Sequence, residues 1–387
     1  MKIVLASHYF HPHIGGIESV VESHATHLTK RGHDVTVISS NVSADSKYSR
    51  RDGYMIYRYD AWNPAENFGI PYPIPNPVKK RQKIKQILSD PELDVVHVHG
   101  MNYITTAMIL RYTPSNVPVV MHQHTPFVEY SFPLQLIELT NDKTIGRWNL
   151  RQADLVLCVS QDIEKYVNKL EKKADTKILN NGVNTAHFHP NRAEGVNKFD
   201  CGPDTPVFFT LSRMSQKKGM DILLKAAKKI DQENIDAHFA VAGDGPMREK
   251  IEHTAQRVGN MDVLGRISDE ELAEYYAAAD VFLFTSKSGE AFPTLTMMEA
   301  YASGTPVIAS KLSENTIGVE NTTNSILTDP GNPKMLKEAI IELATAKNRL
   351  SQMSNNARES AEQYFSIESK IDKLETHYKS VIASRDQ

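Results

Sequence analysis

The sequence predicts an α/β chain built from two doubly wound parallel sheets in tandem. Short β-branched runs alternate with helical patterns from end to end, a polar irregular stretch interrupts them near the middle, and the alternation then restarts. In the first half, Lys2-Ser7, Asp34-Ser39, Met55-Tyr59, Asp94-His99, Val117-His122 and Asp154-Ser160 read as strands. Between the first two, Val20, Val21, His24 and Leu28 recur at the helical period and Gly32 is the stop. Asn180-Asn181-Gly182-Val183-Asn184 and the segment from His189 to Gly195 read as a linker. Beyond it, Pro206-Leu211, Ala237-Ala242, Asp280-Thr285, Pro306-Ser310 and Ser325-Thr328 are predicted strands. Met220, Leu223, Leu224, Ala227 and Ile230 form a helical stripe, and Ser268 with Glu271 makes a capping box. The end, Ile367-Ile371-Leu374-Tyr378-Ile382, is one more amphipathic helix. Ligands of such sheets bind outside the carboxyl ends of the strands, so a crevice shared by two facing sheets is the expected site.

Composition narrows the class. With 387 residues, the chain is long enough for two or three domains. Lys+Arg 44 against Asp+Glu 47 gives a net charge of −3, which argues against nucleic acid as a partner. The cysteines are Cys158 and Cys201, too few for a disulfide framework, and a reducing compartment fits. No signal-type h-region and no run of about 18 apolar residues is visible. The expectation is a cytoplasmic protein, with the inner face of the membrane as its alternative place.

Five features carry chemistry. Gly15-Gly16 follows the first strand and opens a helix, where the backbone comes close to a ligand and unpaired N–H groups meet an anion; the plain alternative is a tight turn. Ser212 to Gly219 also follows a strand and opens a helix. Its Arg213 and Lys218 suit a diphosphate, the one as a fork and the other as a point charge. The helix dipole disfavours cations there unless an anion is bound. Glu290 and Glu299 are carboxylates able to accept paired sugar hydroxyls, and Glu299 sits in the almost wholly apolar Leu295-Tyr301.

His97, His99, His122 and His124 form two His-x-His pairs at strand ends. They are read as core histidines or, for His124 above all, as a ligand to a sugar hydroxyl or phosphate. A metal site is the least favoured reading, because no carboxylate or Cys accompanies them at ligand spacing. The basic segment 78–88 is either a packed helix with a solvated face or an amphipathic contact with an anionic membrane. Cys158, Met297 and Met298 read as core.

Over nearly its whole length the chain resembles the retaining glycosyltransferases of family 4, whose fold is the two-Rossmann-domain GT-B arrangement. The resemblance runs in order through Tyr9-Glu18, Asn180-Asn184, Ser212-Arg213 with Lys218-Gly219, Val241-Pro246, Leu264-Ser268, Glu299-Val307 and Asp329-Gly331. It implies an acceptor domain over 1–187, with a helix over 365–387 crossing back onto it, and a nucleotide-sugar donor domain over 188–364. Arg213 and Lys218 would bind the donor diphosphate, Glu299 the ribose and Glu290 the sugar. His124 would reach a sugar hydroxyl. Gly15, Gly16 and Gly243 would admit the phosphates, Arg266 and Ile267 would line the base pocket, and Phe292, Thr294 and Leu295 would offer a helix N-terminus.

The donor would be UDP- or GDP-linked, the acceptor a glycan or lipid-linked hydroxyl, and no metal or cofactor would be held. The chain departs from the family pattern in three places. Glu290 and Glu299 stand nine positions apart, one more than the family's usual spacing, and Ser212 and Asn184 replace the usual Gly and Asp. The alternatives to a transferase are a nucleotide-sugar 2-epimerase on the same frame and a non-catalytic sugar-nucleotide binding protein.

Overall fold

The structure is a computed structural model, and it describes all residues except 14, 42–45, 65–71, 77–80, 127–131, 133, 194–197, 315 and 386–387. The chain divides into two compact units, Met1–Asn181 with Glu368–Gln387, and Gly182–Ile367.

The first unit runs β1 (Lys2–Ala6), α1 (Gly16–Lys30), β2 (Asp34–Asn41), β3 (Tyr48–Arg51), β4 (Tyr54–Trp62), β5 (Ile74–Pro75), α2 (Gln82–Leu88) and β6 (Val95–His99). It continues with α3 (Ile104–Tyr112), β7 (Val119–Gln123), α4 (Leu134–Asn141), α5 (Arg147–Leu150), β8 (Leu155–Cys158), α6 (Gln161–Leu170) and β9 (Thr176–Ile178). Its sheet has the order β3-β4-β2-β1-β6-β7-β8-β9. The β3 and β5 strands pair antiparallel with β4, and the other pairings are parallel. The order reverses between β1 and β6, which makes the loop after β1 the switch point of this sheet.

The second unit contains β10 (Val207–Leu211), α7 (Met220–Gln232), β11 (His238–Ala242), α8 (Arg248–Ala255), β12 (Met261–Gly265), α9 (Asp269–Ala278), β13 (Val281–Phe284), α10 (Leu295–Ala302), β14 (Val307–Ser310), β15 (Ser325–Thr328), α11 (Pro333–Thr345) and α12 (Lys347–Ser360). Its sheet is wholly parallel, β12-β11-β10-β13-β14-β15, with the switch at β10. Period-two alternation sends neighbouring residues to opposite faces. Phe208, Phe239, Val241 and Leu283 pack with α7, α8 and α11, while Phe209, Ala240, Phe282 and Phe284 pack with α9 and α10. A parallel sheet covered on both sides explains why these strands read as unbroken apolar runs.

The predicted punctuation is present: Gly32 has φ +86° just past α1, and the Ser268 hydroxyl caps α9 by accepting from the Glu271 N–H. The Asn332 side chain, which the sequence reading did not single out, caps α11. Four strands were not anticipated as such: the short β3, β5 and β9, and β12, whose alternation Met261-Asp262-Val263 runs for only three residues. The last helix, α13 (Ile367–Arg385), belongs to the first unit from Glu368 onward. It buries Ile371, Leu374 and Tyr378 completely, and Arg385 chelates Asp154 at 2.6–2.7 Å. Leu374→Ala is expected to cost about 3 kcal/mol, read as a lowered urea midpoint. An unchanged midpoint would mean that this helix is not part of the first unit's core.

Candidate active site

In the second unit the loop after β10 is held in place by close backbone packing. A Cβ on Gly219, at φ +73°, would lie 1.9 Å from the Thr285 carbonyl oxygen, and one on Gly243, at φ +118°, 1.9 Å from that of Ser212. Only glycine tolerates either position. The Thr285 hydroxyl donates to the Lys218 carbonyl at 2.8 Å, and the Lys287 N–H to the Lys217 carbonyl at 2.9 Å. The loops after β10 and β13 are therefore one laced unit at the switch point.

This lacing brings Lys218 and Glu290 together. The Lys218 Nζ lies 2.5 Å from Glu290 Oε2, and the Ser286 hydroxyl donates to the other carboxylate oxygen. Arg213, by contrast, is exposed, and its guanidinium has no partner among the described residues. The two cations predicted to act together thus differ: one is held by a carboxylate, the other is free to turn toward an anion.

Glu299, on α10, is half-buried and accepts a 2.9 Å hydrogen bond from the Tyr276 hydroxyl. Tyr276, on α9, is a partner that sequence reading did not supply. Phe292 lies in the core against Phe284, so only its backbone is available to a ligand. Thr294 caps α10 by accepting from the Met297 N–H, and Leu295 and Ile267 pack at the core's margin. Arg266 is exposed, 3.7 Å from Asp244.

In the first unit, Gly15 precedes α1, and a Cβ there would meet the Glu18 carboxylate at 2.5 Å, while one on Gly16 would meet nothing within 4 Å. Glu18 is buried and takes a 2.9 Å hydrogen bond from His13 Nδ1. Burial opposes its ionisation, but His13, the charge of His8 and a backbone N–H outweigh that and hold its carboxyl below the ordinary value. Ile14, between them in the sequence motif, lies outside the described residues. His124 follows β7, is buried, and stacks on His99 with Nε2 2.9 Å from His99 Nδ1. Burial first, and then the neighbouring imidazoles, push it far below its ordinary pKa, so it is a neutral ring at pH 7.

Of the basic segment, residues 78–80 lie outside the described residues. In α2, which follows, Ile84 and Leu88 are fully buried and Lys85 sits over the Tyr112 ring at 4.9 Å. Cys158 is a buried thiol pushed up to about 12 by its surroundings, an inert core residue.

Two family models match the chain. One described as "Glycosyltransferase Family 4" covers residues 14–187, and one described as "Glycosyl transferases group 1" covers 191–360. Between them they account for most of its length. The chain belongs to the family 4 glycosyltransferases. It is 26% identical to alpha-monoglucosyldiacylglycerol synthase of Streptococcus pneumoniae, over 80% of this chain and 71% of that one. It is also 26% identical to the GDP-mannose-dependent alpha-(1-6)-phosphatidylinositol monomannoside mannosyltransferase of Mycolicibacterium smegmatis, over 80% of each. Among solved structures it is similar to sucrose-phosphate synthase from Thermosynechococcus elongatus, with TM-score 0.79 and 21% identity over 99% of both chains. Its architecture is thus the GT-B type, two Rossmann-like domains, and no described helix is long and apolar enough to cross a membrane.

The Glu299 carboxyl carries a pH signature of this site. Burial pushes it up to about 7; the hydrogen bond from Tyr276 opposes the rise and the charge of Asp269 adds to it. From the ordinary value of 4.5 up to about 7 the folded chain retains a proton that the unfolded chain has lost. Stability therefore falls as pH rises through that window, by on the order of 3 kcal/mol. Glu299→Gln is expected to raise Tm at pH 8 and to leave it nearly unchanged at pH 4. Equal effects at both pH values would show that Glu299 is not desolvated.

Proposed function

We propose that the chain is a retaining, metal-independent glycosyltransferase that moves a hexose from a UDP- or GDP-linked donor to the hydroxyl of a lipid-linked or glycan acceptor. The observation that carries the donor half is the pairing of sites at the carboxyl end of β10. Lys218 is positioned by Glu290 at 2.5 Å, and the same loop carries Arg213, which has no described partner of its own. A diphosphate fits such a pair, since the guanidinium offers a bidentate fork and the ammonium a point charge.

In this reading Arg213 and Lys218 neutralise charge that grows on the leaving diphosphate, a contribution expected to dominate the rate. Glu299 accepts from the ribose hydroxyls and Glu290 from the sugar while holding Lys218. The open space beside Gly16 receives phosphate oxygens, Gly15 and Gly243 keep the backbone close, Arg266 and Ile267 border the base, and the N–H groups from Phe292 through Thr294 and Leu295 face the sugar. His124, held by His99, presents a neutral ring to a sugar hydroxyl. With no side-chain nucleophile assigned, retention follows from reaction on one face. The bond from the anomeric carbon to the diphosphate oxygen breaks, the acceptor oxygen bonds to that carbon from the same side, and its proton passes to the leaving phosphate. Holding the two substrates in register supplies the remainder.

The lipid-linked acceptor is supported by the names of the two relatives, both of which describe glycolipid synthesis. It would place the enzyme at the cytoplasmic face of a membrane. There the packing of Ile84 and Leu88 into the protein leaves α2 chiefly Lys83 and Lys85, with the half-buried Ile87, to offer an anionic surface.

Arg213→Ala and Lys218→Ala are each expected to lower kcat/KM by more than tenfold with an unchanged circular-dichroism spectrum. Near-normal turnover in both would remove the diphosphate role. A thermal-shift screen of nucleotide sugars should single out one donor by a raised Tm. With that donor alone, a transferase makes no new nucleotide sugar, whereas formation of a 2-epimer would identify an isomerase. Donor binding without transfer to any acceptor would mark a non-catalytic binder.

A further inference from the structure

The transfer reaction leaves unexplained a group of imidazoles inside the first unit. On β6 and β7, His97, His99 and His122 share one face of the sheet, because His97 and His99 are two apart and His99 lies in register with His122. From above that face α1 adds His24. All four rings are at most 2% exposed. His24 lies 5.9, 5.9 and 5.8 Å from His97, His99 and His122, ring centre to ring centre, and the other three are 4.4–5.7 Å apart.

One nitrogen on each ring has no hydrogen-bond partner among the described residues: His24 Nδ1, His97 Nε2, His99 Nε2 and His122 Nδ1. On three of the rings the opposite nitrogen is engaged, His97 Nδ1 with the Tyr378 hydroxyl at 2.6 Å, His99 Nδ1 with His124 Nε2 at 2.9 Å and His122 Nε2 with the Leu179 carbonyl at 3.2 Å. A carbonyl only accepts, so His122 carries its hydrogen on Nε2 and has a bare lone pair on Nδ1. With the same sense at the other two, His97 and His99 also turn lone pairs away from their outer partners. A ligand histidine whose second nitrogen donates to a carbonyl, hydroxyl or ring nitrogen is the arrangement that metal sites use to fix the tautomer.

We propose that His24, His97, His99 and His122 form a binding site for one divalent transition-metal ion of the zinc class. Donor atoms of His24, His97 and His99 lie within 4.8 Å of one another, as do those of His99, His122 and His124. Four nitrogens around a tetrahedral ion at 2.0–2.1 Å would stand roughly 3.3 Å apart, so His24, His97 and His99 would draw in around the ion, and His122, which is grouped with His99 and His124, would turn to complete the shell. Imidazoles alone suit zinc, copper and nickel over calcium or magnesium, which take oxygen. Each buried unpaired nitrogen costs on the order of 1–3 kcal/mol, and a cation is the one partner that all four accept together. The ion would tie α1 to β6 and β7, and through His99 it would fix the ring of His124. No step of sugar transfer is assigned to it.

The test uses the full chain, stripped of metal with a chelator, dialysed against a small excess of zinc chloride and analysed for bound metal. About one zinc per chain and a higher Tm than in chelator are expected, and cobalt(II) should give the intense visible bands of a tetrahedral nitrogen site. His24→Gln and His97→Gln should each lower zinc affinity by at least tenfold. Should either fail to fold, the wild-type cobalt spectrum decides alone. No bound metal, an octahedral cobalt spectrum, or undiminished binding by both folded variants would overturn the proposal. Metal content is read without donor or acceptor, so it stands or falls apart from the transfer reading.

Discussion

Two backbone carbonyls that allow no side chain beside them set the geometry on which the second unit's site depends. The Thr285 oxygen occupies the place where Gly219 would carry a Cβ, and the Ser212 oxygen does the same at Gly243. A parallel sheet delivers the ends of β10, β11 and β13 to one edge, but it leaves their loops free to diverge. Close approach at these two glycines removes that freedom. The loop after β10 cannot lift away from the loop after β13, and Lys218 and Glu290, 72 positions apart in the chain, meet at 2.5 Å. A longer loop or an alanine would keep the charges and lose their register.

Much of the fold was legible because local and global signals agree. The runs Val207-Leu211 and His238-Ala242 are apolar on both faces, as strands covered by helices on both sides must be. Gly32 and Ser268 stop or start helices by chemistry local to a few residues. What escaped was set by tertiary partners. Thr176-Ile178 is a strand because β8 pairs with it, and the exposed Tyr48-Arg51 because β4 does. The site divides in the same way. Glycines and cations after a strand are visible in one dimension, whereas the Tyr276 hydroxyl on Glu299, 23 positions away, is not. The same limit explains the low standing of the metal reading. His-x-His pairs were plain, but His24 lies on another element and the unpaired nitrogens appear only once the rings are packed.

Both units bury polar groups at a cost, and they answer it differently. In the second unit Glu299 is relieved by one hydroxyl and by holding a proton, so its carboxyl is half-satisfied and ready for a ligand's hydroxyls to replace lost water. In the first unit, four buried imidazoles each keep one ring nitrogen without a hydrogen-bond partner among the described residues. A ligand hydroxyl could relieve one such nitrogen but not four at once. A buried cluster of this kind is less stable than aliphatic packing of the same volume unless something positive joins it. Ring stacking at 4.4 Å between His97 and His99 offsets little of that. The sugar-binding reading therefore suffices for Glu299 and for His124 at the cluster's edge. It does not reach His24, His97 and His122 behind it, whose chemistry calls for a cation.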